Sequence, residues 1–332
     1  MKALAIRRYK APMEMMERPR PEPGPGDLLV RVRAASVNPV DHKIRDGGVQ
    51  VLVSYAFPLI LGNDLAGDVE EVGSGVTRFK VGDAIYSRLD KDRIGAFAEY
   101  ALVRESAAAK KPATLDYVQA ASLPLVGLTA WQALVDIARV QAGQKVLVQA
   151  GAGGVGTFAI QLARHIGARV STTASARNHA LVTSLGADVV IDYRTTRFEE
   201  AARDQDVVFD TQGGDTLLRS IEAAKSGGVV VTVGGRPDAK FARAWGLSLP
   251  LVWLLGFLNQ RVDRLARTKG VRFEYLFMHA SGEQLERIRA LVDQGVIRPV
   301  VDKTFPLEAA AEAVSYVESG RAVGKVVIRV AE

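Results

Sequence analysis

The stretch Lys145-Val146-Leu147-Val148-Gln149-Ala150-Gly151-Ala152-Gly153-Gly154-Val155-Gly156 decides the fold. It begins as an apolar, β-rich run, and a helical pattern follows its glycine turn as far as His165. In Gly-x-Gly-x-x-Gly, the first glycine permits a tight turn, the second lets backbone approach a pyrophosphate, and the third packs helix against strand. A lone glycine motif is weak evidence, but a strand, this turn and a helix within one βαβ unit predict a dinucleotide site. We expect the site to use Gly151, Gly153, Gly154, Val155 and Gly156.

The residues around this turn predict an α/β protein with two domains. Strand patterns at 169–174, 189–192, 207–210, 229–233 and 274–278 alternate with helical patterns, which indicates a Rossmann-type, doubly wound parallel sheet. The first ~120 residues carry short strand patterns between glycine and proline turns, which favour antiparallel, barrel-like β structure. The tail has helical patterns at 284–293 and 309–319 and a strand at 325–330, and we expect it to rejoin the first domain. The predicted domains are residues 1–122 with 281–332, and residues 123–280.

The end of the second predicted strand bears on which dinucleotide binds. An NAD enzyme is expected to have an acidic residue about 20 residues beyond the glycine turn, where it binds the ribose 2′-hydroxyl. Residues 171–177 contain no carboxylate, and they include Ser175 and Arg177. A hydroxyl and a guanidinium suit a 2′-phosphate, so the sequence predicts NADPH. The alternative for Arg177 is a solvated arginine at the start of a helix.

Composition excludes several classes of function. The chain has no cysteine, so disulfides, thiolate metal ligands and a cysteine nucleophile are excluded. Eight basic and two acidic residues lie between Arg236 and Arg272, and this imbalance equals the net charge of +6 of the whole chain. Charge elsewhere is balanced, so we expect no nucleic-acid partner. The longest apolar stretch, at 247–258, is shorter than the roughly 20 residues of a membrane span, so we expect a soluble protein, and the absence of cysteine fits a reducing cytoplasm, where we expect it to lie.

With these features in view, the chain resembles the medium-chain dehydrogenase/reductase superfamily, in its zinc-independent quinone oxidoreductase (zeta-crystallin-like) branch. Besides the glycine turn, the matching segments are Ala35-Ser36-Val37-Asn38-Pro39-Val40-Asp41, Gly62-Asn63-Asp64-Leu65-Ala66-Gly67, Phe79-Lys80-Val81-Gly82-Asp83, Gly95-Ala96-Phe97-Ala98-Glu99-Tyr100, Leu123-Pro124-Leu125-Val126-Gly127-Leu128-Thr129-Ala130-Trp131 and Gly324-Lys325-Val326-Val327-Ile328. They occur in the right order from end to end, which makes a chance match very improbable.

The resemblance implies a GroES-like, β-rich catalytic domain beside the Rossmann domain, and a homodimer. It also implies nucleotide-contacting roles beyond the glycine turn. Thr129 is expected at the nicotinamide amide, and Tyr193 beside the adenosine phosphate or ring. Gly234, Phe277 and Met278 are expected to border the nicotinamide, and Lys325 is expected to reach the cofactor. Phe277 and Met278 are alternatively plain core residues.

The resemblance also indicates that no zinc is bound. The cysteine and the histidine–glutamate pair that hold catalytic zinc in related alcohol dehydrogenases fall on Asn38 and on Asn63-Asp64. An amide is a poor zinc ligand, and the four histidines, His42, His165, His179 and His279, show no ligand spacing. We expect Asn38 to donate a hydrogen bond to the reacting acceptor and Asp41 to orient the site. Asp41 is alternatively a turn cap, and Asn38-Pro39 a turn that only fixes backbone.

Without a metal to polarise an alcohol, the resemblance favours hydride transfer to an acceptor that is already electrophilic. The leading hypothesis is an NADPH-dependent reductase of quinones, with Lys43, Arg45 and Tyr55 as nearby proton or charge contributors. The alternatives are reduction of the C=C bond of α,β-unsaturated aldehydes or ketones, and an NADPH-binding structural or regulatory protein with little turnover. The basic insertion at 236–272 is interpreted as a buried or dimer-contacting helix, or as a lid over a lipophilic acceptor that contacts a membrane surface.

Overall fold

A computed structural model describes residues 1–331 of the chain. Its strands are β1 (Lys2–Ile6), β2 (Glu14–Glu17), β3 (Asp27–Val37), β4 (Leu59–Ile60), β5 (Asp64–Val72), β6 (Ala84–Arg88), β7 (Tyr100–Arg104), β8 (Ala108–Lys110), β9 (Lys145–Val148), β10 (Arg169–Thr173), β11 (Val189–Ile191), β12 (Gln205–Asp210), β13 (Ala224–Thr232), β14 (Arg272–Tyr275), β15 (Val301–Pro306) and β16 (Lys325–Arg329). Its α-helices are α1 (Pro39–Arg45), α2 (Tyr117–Ala121), α3 (Pro124–Trp131), α4 (Gly154–Ile166), α5 (His179–Ser184), α6 (Phe198–Ala201), α7 (Gly214–Ala223), α8 (Ala239–Ala244), α9 (Leu249–Leu258), α10 (Gln260–Lys269), α11 (Gly282–Asp293) and α12 (Ala310–Glu318).

Thr129–Met278 form one compact unit, here called the nucleotide unit, around a six-stranded sheet. The strand order is β11-β10-β9-β12-β13-β14, and every neighbouring pair is parallel. The chain moves outward from β9 to β11 and then returns to β12 on the other side of β9, so the topological switch point lies between β9 and β12. The predicted doubly wound parallel sheet is confirmed.

The nucleotide unit is held together by apolar strands covered by helices. Leu147, Val208 and Val230, on three neighbouring strands, are fully buried in one cluster. Leu217 and Ile221 of α7 belong to the same cluster, at the i and i+4 spacing that places both on one helix face. Such apolar, β-branched runs are typical of parallel strands that are buried on both faces.

The sixth strand of this sheet lies earlier than the sequence predicts. The expected strand covers residues 274–278, whereas β14 covers Arg272–Tyr275. The N–H of Leu276 still donates to the carbonyl of Thr232 at 2.8 Å, and pairing with β13 ends there. Phe277 instead packs against the rings of Trp245 and Phe241, with ring centroids 5.0 and 5.8 Å away. Aromatic packing therefore ends the strand before Phe277.

Met1–Leu128 and the chain from His279 onward form the second compact unit, here called the β-rich unit. Its larger sheet has the order β15-β16-β3-β5-β6-β8, with β7 also paired to β3, and its smaller sheet has the order β2-β1-β4. All of these pairs are antiparallel except β15 with β16. The last strand, β16, pairs with β3 so that Val326 lies opposite Val37. This register brings Lys325 beside the residues that follow β3.

The two units divide at 128/129 and at 278/279, and the predicted domain boundaries lie at 122/123 and 280/281. The strand patterns expected in the first ~120 residues are found there, and they include β3 and β5, most of whose residues are buried. The helices of the described chain include none with the length and apolar character needed to cross a membrane.

Candidate functional site

The glycine turn lies at the carboxyl end of β9, beside the switch point of the nucleotide unit. A Cβ on Gly151 would lie 2.1 Å from Thr172 Oγ1, and one on Gly156 would lie 2.3 Å from the Ala150 carbonyl oxygen. Real Cβ atoms do not approach other atoms so closely, so only glycine fits at these two positions. A Cβ on Gly153 would meet only the Ala150 oxygen at 3.3 Å. Gly153 is therefore packed less closely than Gly151 and Gly156, and the rest of its backbone surface is open.

Helix α4 begins directly after this turn, with Gly153 at its N-cap. The first N–H groups of a helix have no carbonyl partner within it, and they carry the positive end of the helix dipole. In α4 these groups belong to Gly154, Val155 and Gly156. The helix has 13 residues and ends at Gly167, whose φ of 90° is left-handed. The glycine turn and the N-terminus of α4 together form a site that can bind an anionic phosphate.

Thr173 holds the turn in place, a role that the sequence analysis did not assign. Ala150, the residue before the turn, has a φ of 52°, in the left-handed region that non-glycine residues rarely adopt. Thr173 Oγ1 accepts a hydrogen bond of 2.9 Å from the Ala150 N–H and donates one of 2.8 Å to Gln149 Oε1. The strained residue is thus held from the neighbouring strand, as is common at binding sites. A polar threonine at the end of a buried strand is the sequence signal for such a residue.

The carboxyl end of β10 carries Ser175 and Arg177. Ser175 is buried, and its hydroxyl accepts a long hydrogen bond of 3.4 Å from Asn178 Nδ2. Arg177 is exposed, and it makes no ion pair with any residue between 1 and 331. No carboxylate lies in 171–177. An unpaired guanidinium therefore stands where an NAD-binding chain would place an acid.

Other predicted cofactor residues of the nucleotide unit differ in their surroundings. Tyr193 follows β11 and is half-exposed, and Thr129 is buried within α3. A Cβ on Gly234 would lie 2.5 Å from the Gly213 nitrogen, so backbone passes closely at the ends of β12 and β13. Phe277 lies in the aromatic group described above and Met278 is half-buried, so Phe277 also has the packing role that was its alternative.

Asp210 fixes the backbone around Gly234, and the sequence analysis missed this residue. Its Oδ2 accepts hydrogen bonds from Thr232 Oγ1 at 2.7 Å and from the Gly213 N–H at 2.9 Å. The Gly234 N–H donates in turn to Thr232 Oγ1 at 3.1 Å. Burial raises the pKa of Asp210, although three donors favour its charged form. The carboxylate therefore ties the ends of β12 and β13 together at the edge that holds the glycine turn.

A buried polar group in the β-rich unit contains both predicted catalytic residues. This Lys325 cluster consists of the side chains of Ser36, Asn38, Asp41, Asn63, Asp64 and Lys325, all of them buried. Lys325 Nζ donates to Asn38 Oδ1 at 2.5 Å and to the Val37 carbonyl at 2.8 Å, and it lies 3.9 Å from Asp64 Oδ2. The cluster thus contains one ammonium group and two carboxyl groups out of contact with water.

The side-chain amide of Asn38 is hydrogen-bonded within the Lys325 cluster. Its amide nitrogen Nδ2 donates to Asp64 Oδ2 at 2.9 Å and to the Ser36 carbonyl at 3.3 Å. With both amide hydrogens committed and the side chain buried, Asn38 has none left for a reacting acceptor. In this arrangement Asn38 contacts both Asp64 and Lys325, and a direct hydrogen bond from Asn38 to the acceptor stays a prediction.

Asp41 caps the start of α1 and also contacts the side chain of Asn63. Its Oδ2 accepts from the Asn38 N–H at 2.7 Å at the start of α1, and its Oδ1 accepts from Asn63 Nδ2 at 2.7 Å. The cap that was one alternative for Asp41 is therefore present, while its orienting role stays a prediction. Burial raises the pKa of Asp41 to about 7. A carboxyl group whose pKa is raised by burial thus lies next to Asn38.

Burial also dominates the electrostatics of Asp64 and Lys325. It raises the pKa of the Asp64 carboxyl and lowers the pKa of the Lys325 ammonium, and each charge offsets part of the other's shift. Asp64 accepts from Asn38 Nδ2 and Ser36 Oγ at 2.9 Å each, and from the Leu125 N–H at 2.9 Å. These three donors stabilise the buried carboxylate.

The Lys325 cluster does not suit a zinc ion. By sequence resemblance, Asn38 and Asn63 match zinc-ligand positions of related alcohol dehydrogenases. Here they offer only amide groups, and both already hydrogen-bond within the cluster. The ammonium of Lys325 repels a divalent cation from the same place. Another group of candidate ligands is formed by His42, Asp46 and Glu318, which are not fully buried. Arg45 already pairs with both carboxylates of this group, at 2.8 and 3.0 Å.

The additional proton or charge contributors considered from sequence are not gathered in the Lys325 cluster. Arg45 is ion-paired with Asp46 and Glu318, and Lys43 is exposed. Tyr55 donates its hydroxyl to the Lys91 carbonyl at 2.7 Å, and burial raises the pKa of Tyr55 to about 12. The structure therefore favours Lys325, Asp41 and Asp64 as the charged groups around Asn38.

Comparisons with known proteins agree with this architecture. Residues 185–328 match the family described as zinc-binding dehydrogenase, and residues 24–113 match the alcohol dehydrogenase GroES-like domain. The mitochondrial NAD(P)H oxidoreductase RTN4IP1 of Homo sapiens is 36% identical over 333 residues, covering 92% of this chain and 82% of the human protein. The chloroplastic NADPH-dependent alkenal/one oxidoreductase of Arabidopsis thaliana is 35% identical over 318 residues, covering 93% of this chain and 73% of the plant protein. The solved quinone oxidoreductase from Coxiella burnetii matches with a TM-score of 0.86 and 34% identity, covering 99% of each chain.

Proposed function

The chain belongs to the medium-chain dehydrogenase/reductase superfamily, in its quinone oxidoreductase branch, and we propose that it reduces quinones with NADPH and without zinc. Its general class is that of NAD(P)H-dependent oxidoreductases that act on a small-molecule acceptor. The observation that carries the choice of NADPH is the carboxylate-free end of β10, where Arg177 is exposed and unpaired.

The residues of the nucleotide unit fit a bound dinucleotide, which supplies a hydride from its nicotinamide ring. The N–H groups at the start of α4 would hold the pyrophosphate, because they have no carbonyl partner within the helix. Ser175 and Arg177 would hold the 2′-phosphate by a hydrogen bond and a charge-assisted hydrogen bond. Thr129, Tyr193, Gly234 and Met278 remain proposed contacts along the same ligand.

The Lys325 cluster supports a quinone as acceptor. A quinone is already electrophilic, so its reduction needs hydrogen bonds or nearby positive charge rather than a Lewis acid. Lys325 supplies a buried positive charge, and Asn38 and Asp64 fix its position. In this proposal Asn38 and Asp41 are positioning residues, with Asp41 acting through the backbone of Asn38.

Reduction of the C=C bond of an α,β-unsaturated carbonyl is the second candidate. It makes the same demand on the site, and the Arabidopsis relative is named for this activity. A third candidate is an NADPH-binding protein with little turnover. All three predict tight NADPH binding, so the acceptor has to be tested directly.

The proposed function is tested by following NADPH oxidation with a panel of quinones and a panel of alkenals, each compared with NADH. We expect quinone-dependent oxidation of NADPH that is at least about tenfold more efficient than that of NADH, which corresponds to about 1.4 kcal/mol of discrimination. Product analysis separates the first two candidates, because an alkenal reductase yields the saturated aldehyde. NADPH binding without turnover of either panel would support the third candidate and overturn the proposal.

A further inference from the structure

The solvent-facing half of α9 is apolar, the reverse of what a surface helix normally presents. Successive residues of a helix are rotated by about 100°, so Leu249, Trp253, Phe257, Pro250, Leu254 and Leu258 fall in that order on one half of α9. All six are exposed, and Leu249, Trp253 and Phe257 are 71%, 77% and 72% exposed. These six side chains are here called the α9 face.

The α9 face stands out from the rest of the described chain. Twelve large hydrophobic residues are exposed among residues 1–331, and five of them lie in the ten residues of α9. Of these twelve residues, only Leu249, Trp253 and Phe257 of the α9 face have an exposed fraction above 70%. A scattered exposed apolar residue needs no explanation, but a contiguous apolar patch marks a surface that binds something.

The helices on either side of α9 supply unpaired positive charge. Arg243 lies in the last turn of α8, and Arg261 and Arg264 lie on the first turns of α10, with Arg261 three residues after Leu258. All three are exposed, and within the described chain none makes an ion pair. The two carboxylates of the basic insertion at 236–272 do little to neutralise these arginines, because Asp238 is buried and Asp263 is half-buried.

This charge distribution decides between the occupants that could cover the α9 face. A twofold contact with a second copy would gather two sets of unpaired arginines around one apolar patch, with no exposed carboxylate of the segment to neutralise them. An anionic bilayer satisfies both features at once. Tryptophan, phenylalanine and leucine side chains enter the headgroup–acyl boundary, and arginines bind lipid phosphates.

We propose that α9 and its flanking arginines bind the surface of membranes that contain anionic phospholipid. A helix of ten residues is about 15 Å long, so α9 would lie in the plane of the interface with the α9 face in the lipid. Its inner side stays attached to the protein. Val252 is buried, and Asn259 Nδ2 donates to the Pro237 carbonyl at 2.9 Å.

The proposal is tested by co-sedimentation of the full chain with vesicles of phosphatidylcholine, with or without about 30% phosphatidylglycerol, at low salt. We expect binding to the anionic vesicles that weakens as NaCl rises to about 0.5 M, because salt screens the arginines. The variant W253S/F257S should bind at least about tenfold more weakly. The variant R261E/R264E should lose more than about 25-fold, given about fivefold per arginine near an anionic surface.

Two controls keep the test specific. R8E/R321E changes the net charge of the chain by the same amount at exposed positions of the β-rich unit, and it should bind vesicles as the wild type does. Brominated acyl chains should quench the fluorescence of the wild type, and W253F should lose that quenching while it keeps NADPH binding.

Failure of the wild type to bind anionic vesicles at low salt overturns the proposal, as does binding that W253S/F257S leaves unchanged. A dimer that W253S/F257S dissociates, without vesicle binding, would show that a second copy covers the face. These readouts do not depend on turnover, so they are independent of the proposed function.

Discussion

The ammonium group of Lys325 lies 2.5 Å from the side-chain oxygen of Asn38, although the two residues are 287 positions apart in the chain. The contact forms because β16 pairs antiparallel with β3, placing Val326 opposite Val37. It joins a segment near the end of the chain to a residue near its beginning, and it places a buried side-chain ammonium group beside Asn38.

Replacing Lys325 by methionine should lower the free energy of unfolding by about 3–5 kcal/mol, because Asp64 would remain buried without its cation. Urea denaturation measures the change. The exposed Lys110→Met is the matched control and should change stability by less than about 0.5 kcal/mol. An equally small effect at Lys325 would contradict a structural role for the buried charge.

Replacing Asn38 by alanine should reduce quinone turnover about tenfold or more, since losing a hydrogen bond worth about 1.4 kcal/mol frees Lys325 to move. The dissociation constant of NADPH should change little, which fluorescence titration measures. Ser36→Ala removes another donor to Asp64 but leaves the Lys325 contact intact, and it should reduce turnover less. Unchanged turnover in Asn38→Ala would remove Asn38 from the mechanism.

The raised pKa of Asp41, about 7, predicts a pH-dependent stability. In an unfolded chain this carboxyl titrates near about pH 3.9, so between about pH 4 and about pH 7 the folded state binds one more proton than the unfolded state. The contribution of Asp41 protonation to the free energy of unfolding is therefore full below about pH 4. It falls by about 1.4 kcal/mol per pH unit through this window and is lost above about pH 7. Urea denaturation across the window should show this slope in the wild type and not in Asp41→Asn. The exposed Asp215→Asn should retain the slope.

Replacing Arg177 by alanine should weaken NADPH binding about 10- to 100-fold, the equivalent of a charged hydrogen bond worth about 1.5–3 kcal/mol. Binding of NADH should change little, because NADH has no 2′-phosphate. Isothermal titration with both nucleotides measures the two effects. Arg203→Ala, at an exposed position of the same unit, is the matched control. Equal losses for the two nucleotides would show that Arg177 does not select the phosphate.

Alanine substitutions in the glycine turn should separate folding from binding. Gly156→Ala should lower the free energy of unfolding by more than about 2 kcal/mol, because its Cβ would lie 2.3 Å from the Ala150 oxygen. Gly153→Ala meets only a 3.3 Å contact, so it should fold and instead weaken NADPH binding by filling the open backbone surface. Gly256→Ala, with ordinary contacts, is the control. Wild-type NADPH affinity in Gly153→Ala would contradict the assignment of the turn to the pyrophosphate.

The sequence by itself determined the nucleotide unit and its binding edge. The strand, glycine turn and helix at 145–165 are local features, and parallel strands must align their carboxyl ends, so Ser175 and Gly234 had to lie at the same edge as the turn. Only the sixth strand was misplaced, because aromatic packing of Phe277 with Trp245 is a tertiary contact without a periodic signal. The sequence likewise predicted strands in the first ~120 residues, where β3 and β5 lie.

Only the tertiary structure decided the roles of the buried polar residues. Sequence motifs singled out Asn38, Asp41 and Lys325, but as separate residues with separate functions. Their hydrogen bonds depend on the pairing of β16 with β3, and donors that are committed in this way cannot be counted from sequence. The α9 face was likewise an apolar run whose exposure could not be known, since hydropathy does not distinguish a helix buried in protein from one that faces solvent. The topology of the chain determines which groups are in contact and which are buried. Burial in turn shifts the pKa values of the charged groups, so these properties follow from the tertiary structure.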